Sequence, residues 1–237
     1  FYGWVILLFG VIGTLMSLPG QTIGVSPFKE TLQRELFLSS QSISTAYMVG
    51  TFASGMILTF AGRLYDRWGA RVVGPAAGVL LGVVLVGLSQ VDRVSRTIAA
   101  LAGLEVGAPM VLDAVSFEAF RPDPATVPTG AFLISFVTVT AGFLALRFFG
   151  QGVLTLVSRN VPMKWFVHYR GRINSALGLF VSVGFSLSPL VFSRMIDSGG
   201  WRWAWLVLAG VVGVAYPLVG WLFLRDNPEQ CGLHPDG

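Results

Sequence analysis

The chain of 237 residues is 54% apolar and only 12% charged, with a formal net charge of +4 and a mean hydropathy of +0.71. Soluble domains carry about 25% charged residues, so this composition excludes a surface covered by water and points to a bilayer as the solvent. The pI near 9.6 does not indicate nucleic acid, because the basic residues lie in short segments between apolar runs rather than in one patch.

A helix needs about 20 mostly apolar residues to cross hydrocarbon. Six segments qualify, roughly 4–27, 43–61, 72–91, 131–158, 173–193 and 203–224. The apolar runs are continuous rather than alternating, which favours helices over a barrel and predicts an all-α membrane protein. The first run begins at Tyr2 without the basic start or cleavage site of a signal peptide. It is expected to be a first span in a chain trimmed at its N-terminus. It holds Gln21 and Thr22 between Gly20 and Gly24. The second span brings Tyr47 and Thr51, four residues apart and on one helical face. In the third, Gly74, Gly78 and Gly82 form a ladder that permits close helix packing.

Segment 92–129 is too polar for a span. A seventh crossing there would put the two basic loops on opposite sides. It reads as an external insertion with one or two short amphipathic helices, ended by a proline-rich stretch. The fourth span is too long for one perpendicular helix, so it tilts or rises above the membrane. It carries Arg147, the sole ionisable residue between Gly130 and Val157. A guanidinium in hydrocarbon costs roughly 2.5–3.5 kcal/mol on insertion scales, so an anion, polar groups or a wet cavity must offset it. Gln151 follows four residues later, and an amide beside a guanidinium suits a carboxylate. Trp201, Trp203 and Trp205 suit an interfacial belt at the start of the sixth span. Pro19, Pro189 and Pro217 are candidate kinks. Cys231, the single cysteine, lies in the polar tail and forms no internal disulfide.

Charge sets the orientation. The 62–71 loop, the 159–172 loop and the tail together hold eight basic and four acidic residues, against seven and eight on the other side. Basic loops stay cytoplasmic, so both chain ends are expected there. The organisation is then 1–91 for spans one to three, 92–129 for the insertion, 130–224 for spans four to six, and 225–237 for the start of a central cytoplasmic loop. No acidic residue is read as embedded in the six spans. No His or carboxylate cluster, metal-ligand spacing, nucleophile signature or cofactor motif stands out, which argues against an enzyme.

Several motifs share one likeness. Gly62-Arg63-Leu64-Tyr65-Asp66-Arg67-Trp68-Gly69-Ala70-Arg71 matches G-x-L-x-D-R-x-G-x-R at its key positions. Arg147-Phe148-Phe149-Gly150-Gln151-Gly152 fits R-x-x-G-x-G, and Trp165-Phe166 followed by Arg170-Gly171-Arg172 fits W-F-x-x-x-R-G-R. Gly200-Trp201-Arg202-Trp203 precedes the sixth span, and the tail runs Arg225-Asp226-Asn227-Pro228-Glu229 to Pro235-Asp236-Gly237. With six spans, these resemble the N-terminal half of a major facilitator superfamily transporter. The tail and Tyr2-Gly3-Trp4-Val5 look like bacterial members related to monocarboxylate and oxalate/formate porters.

The resemblance implies one half of a major-facilitator-type bundle in the plasma (inner) membrane. A second six-helix half, from the same parent chain or another copy, would complete it, with a small-molecule solute at the midplane between them. It also implies that Gly62, Asp66, Arg67, Gly69 and Arg71 act as a conformational latch, with Asp66 capping the next helix or pairing with nearby arginines. Animal relatives carry a lysine late in span one. Pro19 to Gly24 holds no cation here, a departure from lactate-type proton coupling. The expected function is secondary active transport of a small organic solute, more fittingly a carboxylate, by alternating access. Arg147, Gln151, Gln21, Tyr47 and Thr51 are the candidate solute contacts. The rival for these residues is a structural role, with Arg147 bonded to Gln21 or to helix carbonyls. The rival for the whole chain is a non-transporting receptor or anchor that uses 92–129 as an interaction surface.

Overall fold

The structure is a computed structural model that describes residues 1–104 and 129–236. All regular structure among the described residues is helical. The first apolar run is not one rod. Helix α1 (Gly3–Met16) stops where Pro19 and Gly20 interrupt the pattern, and the chain continues through single turns and α2 (Thr22–Val25) into α3 (Lys29–Leu36). The expected span 4–27 is therefore corrected to a 14-residue helix followed by a broken segment. Proline removes a backbone donor and clashes with the preceding turn, which ends a regular helix.

Phe37, in the left-handed region at φ 54°, turns the chain into α4 (Ser40–Trp68). The Ser39 hydroxyl accepts from the Ser42 N–H at 3.0 Å and so caps α4. Gly69, at φ 74°, ends α4 and leads directly into α5 (Ala70–Ser89). Helix α6 (Val91–Leu101) follows, strongly amphipathic as 92–129 was expected to begin. The remainder of that insertion, 105–128, lies outside the described residues.

Helix α7 (Thr129–Leu146) runs through a π-helical segment, Arg147–Leu154, into α8 (Thr155–Trp165) without a break. Helix α9 (Arg170–Gly210) is divided by Gly200 (φ 82°, ψ 163°), and a second π segment, Val211–Ala215, joins it to α10 (Tyr216–Phe223). Among the described residues, four helical runs are long and apolar enough to cross a membrane: Ser40–Trp68, Ala70–Ser89, Thr129–Trp165 and Arg170–Phe223.

Helix α1 packs on α8 and α9, α4 on α7, and α5 on α9, α10 and both π segments. Two tryptophans of the expected interfacial belt belong to the interior instead. Trp205 is fully buried and stacks on Phe28 at 4.1 Å, and Trp201 is also buried; Trp203 is exposed. The core needs an aromatic there because the broken segment after α1 inserts Phe28 between Trp205 and Phe192. At the same end, Arg202 reaches Asp92 at 2.8 Å and Glu35 at 3.4 Å, and Arg96 approaches both. Asp92 is buried at the α5–α6 junction. It lies just outside the third expected span, in the 92–129 segment, and a paired arginine makes its burial tolerable.

Candidate functional site

Arg147 opens the π segment of the fourth run and is 8% exposed. Its Nη1 donates to the Gly20 carbonyl at 3.3 Å, and its guanidinium lies 5.2 Å from the centroid of the Tyr47 ring. The broken segment after α1 makes the first contact available, because a carbonyl released from a regular helix needs a donor. The second is a cation–π contact, worth about 0.5–2 kcal/mol depending on desolvation. No carboxylate pairs with Arg147 among the described residues. A guanidinium carries five N–H donors, and the hydrogen bond to Gly20 uses one of its three nitrogens.

The approach of the two segments depends on glycine. A Cβ on Gly20 would lie 2.6 Å from the Leu146 carbonyl oxygen and 2.7 Å from the Gly150 Cα. Any side chain there would push the Gly20 carbonyl away from Arg147. The π segment widens the turn at this crossing, and such segments recur at functional sites.

Around this crossing stands a polar cluster. Gln21 Nε2 donates to Ser17 Oγ at 3.2 Å and approaches Thr155 Oγ1 at 3.4 Å, while Thr155 donates to Ser17 at 3.1 Å. Tyr47 Oη donates to Thr22 Oγ1 at 3.0 Å. Tyr47 also lines a cavity of about 270 Å³ with Thr22, Ser26, Lys29, Ser44 and Phe143. Lys29 Nζ donates to Ser44 Oγ at 3.0 Å in that wall. Sequence reasoning missed Lys29, because a lysine just past the first apolar run carries no signal of what it faces.

The five expected contacts are thus placed differently. Arg147 and Tyr47 touch, Gln21 joins the Ser17–Thr155 cluster, and Thr51 keeps a buried hydroxyl without a hydrogen-bond partner among the described residues. Gln151 is exposed while Arg147 is buried. Both lie in the π segment, so the two differ in burial although they are only four residues apart.

At the other end of α4, Asp66 and Arg67 are exposed on its last turn, with no hydrogen bond or ion pair among the described residues. The carboxylate that caps α5 comes from the tail. Asp226 Oδ1 accepts from the Ala70 N–H and, at 3.3 Å, from the Arg71 N–H. Gly69 leaves the space this needs, since a Cβ there would lie 2.6 Å from the Asp226 carboxylate. Arg71 also donates from Nε to the Trp221 carbonyl at 3.4 Å and covers the Trp221 ring. The tail then crosses to the 166–169 turn. Trp165 Nε1 donates to the Arg225 carbonyl at 3.2 Å, and Asp236 Oδ2 accepts from the Val167 and His168 N–H groups at 3.0 and 2.8 Å. Partial desolvation raises the Asp236 carboxyl, but the His168, Val167 and Tyr169 amides and the His168 charge outweigh it and hold its pKa below the ordinary value.

Residues 125–234 match the family model of the Major Facilitator Superfamily. This match supports a member of that superfamily, and with it a transporter. The matched stretch is just under half of the chain. It contains the Arg147–Gly152 motif, the 165–172 turn and Asp226, and it leaves out the 62–71 loop. The chain matches no curated protein and no solved structure. With the four long apolar runs, the match also supports an integral membrane protein.

Proposed function

We propose that this chain is the six-helix half of a secondary active transporter in the plasma (inner) membrane, that it moves a small carboxylate by alternating access, and that Arg147 is the anion's principal contact. The carrying observation is a buried arginine held by a carbonyl and an aromatic face, with no carboxylate beside it among the described residues. Both contacts orient a guanidinium without neutralising it, so charge remains for a solute. Tyr47, Thr51 and Gln21 supply neutral groups nearby, and Lys29 adds a second positive charge beyond Tyr47.

On this reading the solute passes between this half and a second six-helix half. Gly62, Asp66, Arg67, Gly69 and Arg71 form a latch between the halves at the cytoplasmic side. Asp66, exposed and without a hydrogen bond or ion pair among the described residues, is a group that could meet such a partner. Six crossings follow if the broken first run spans the bilayer and Gly200 separates the fifth from the sixth.

The test is uptake of labelled formate, acetate, lactate and oxalate by cells expressing the complete reading frame. Arg147→Ala should abolish uptake of the transported acid while leaving the amount of protein in the membrane unchanged. Undiminished uptake of that acid by the variant would overturn the anion-site reading.

A further inference from the structure

A groove of about 360 Å³ runs along the outside of α4 and α5, beside the π segment. Its floor is small and apolar, with Ala61, Ala76 and Ala77, and its walls are Phe60, Leu80 and Phe149. Arg63 and Arg67 stand one turn apart at the mouth, next to Trp68. The groove is separate from the solute site. At about 100° per residue, Phe60, Arg63 and Arg67 lie roughly 160–220° around α4 from Tyr47, on the opposite face. Phe60 and Trp68 are more than half exposed, so nothing in the described chain covers the wall.

We infer that this groove binds one anionic phospholipid, with an acyl chain on the alanine floor and the phosphate between Arg63 and Arg67. Charge complementarity selects the occupant. Neither arginine forms a hydrogen bond or ion pair among the described residues; the Arg63 guanidinium only covers the Phe60 ring at 5.6 Å. An apolar trough capped by two free cations needs a molecule with a long apolar body and an anionic head. Basic pockets between spanning helices at the cytoplasmic side bind anionic headgroups. Trp68 at the same level suits the headgroup zone. A packed protein helix would cover the trough, but it would have to bring two carboxylates to the bilayer interface to pair the arginines. The inference requires only that the chain lies in a bilayer; it is independent of the Arg147 solute site but shares Arg67 with the proposed latch.

Native mass spectrometry of the detergent-purified chain, titrated with an equimolar mixture of phosphatidylglycerol and phosphatidylcholine, tests it. The unmodified chain should retain phosphatidylglycerol preferentially, by roughly fivefold for each arginine engaged. R63Q/R67Q should bring the two lipids to equal retention. Ala76→Trp, at an exposed position in the trough, should lower retention of both. Equal retention of the two lipids by the unmodified chain would overturn the inference, whatever the variants do. So would an undiminished preference in R63Q/R67Q, or a chain dimer that Ala76→Trp dissociates without changing lipid retention.

Discussion

Arg147 shows how a single charged residue in an apolar run carries a cost that its surroundings must offset. Its burial was readable from the sequence because an isolated charge among apolar neighbours has few tolerable positions. What holds it was not readable. The Gly20 carbonyl lies 127 positions away, and its availability depends on a helix break. Tyr47 was legible as a polar group on the second span, but not as the face beneath the guanidinium. At the opposite end, Asp226 was a bystander in the sequence, an acid just beyond the last apolar run, and the capping role was expected of Asp66. The tail folds back so that Asp226, and not Asp66, meets the α5 N-terminus. Losing an acidic cap costs about 0.5–2 kcal/mol. Asp226→Ala should therefore lower the unfolding free energy by about 1 kcal/mol in a denaturant titration in micelles, with Asp66→Ala having a smaller effect. Equal effects from the two variants would contradict the assignment.

At the scale of elements, the long helices were legible and their irregularities were not. The second and third apolar runs became α4 and α5 because length and composition define such helices. The break after Met16 was marked by Pro19 and Gly20, but the apolar composition continues through it and hides the change of geometry. A π segment differs from an α-helix by one hydrogen-bond register, which leaves no trace in hydrophobic periodicity. The cluster of Glu35, Asp92, Arg96 and Arg202 joins three distant elements and had no local signature. The tail is an element in its own right, tied to the 166–169 turn by Asp236. A depressed carboxyl contributes stability above its unfolded pKa and loses it as pH falls through the folded value. The tail contact should thus persist at neutral pH and release only below pH 3.8. Hydrogen-exchange protection of the Val167 and His168 amides checks this. Asp236→Asn should reduce protection at pH 7, and the two chains should converge as the pH falls below that value.

For the whole molecule, beside the cluster of Glu35, Asp92, Arg96 and Arg202, the polar groups described fall into two further sets. One is internal, where Ser17, Gln21, Tyr47, Arg147 and Thr155 join the first, second and fourth runs. The other ties the loops at the end of the bundle that carries the 62–71 turn and the tail. Between them the surface is largely apolar, with Phe52, Met56, Leu179 and Leu218 among many exposed large side chains. Such a distribution fits a body solvated largely by lipid; under the proposed function one wall, at Arg147, would also face water and a second half. The decisive question is whether that wall is wet and holds an anion. Cys231 is the sole cysteine, so Cys231→Ser gives a background without thiols, and Gln151→Cys then places one thiol in the π segment beside Arg147. In proteoliposomes, a membrane-impermeant thiol reagent should label that position, and the transported carboxylate should slow the labelling in chains that keep Arg147 but not in Arg147→Ala. A thiol that resists the reagent, or labelling that the carboxylate slows equally with and without Arg147, would contradict a wet, anion-binding wall built on this arginine.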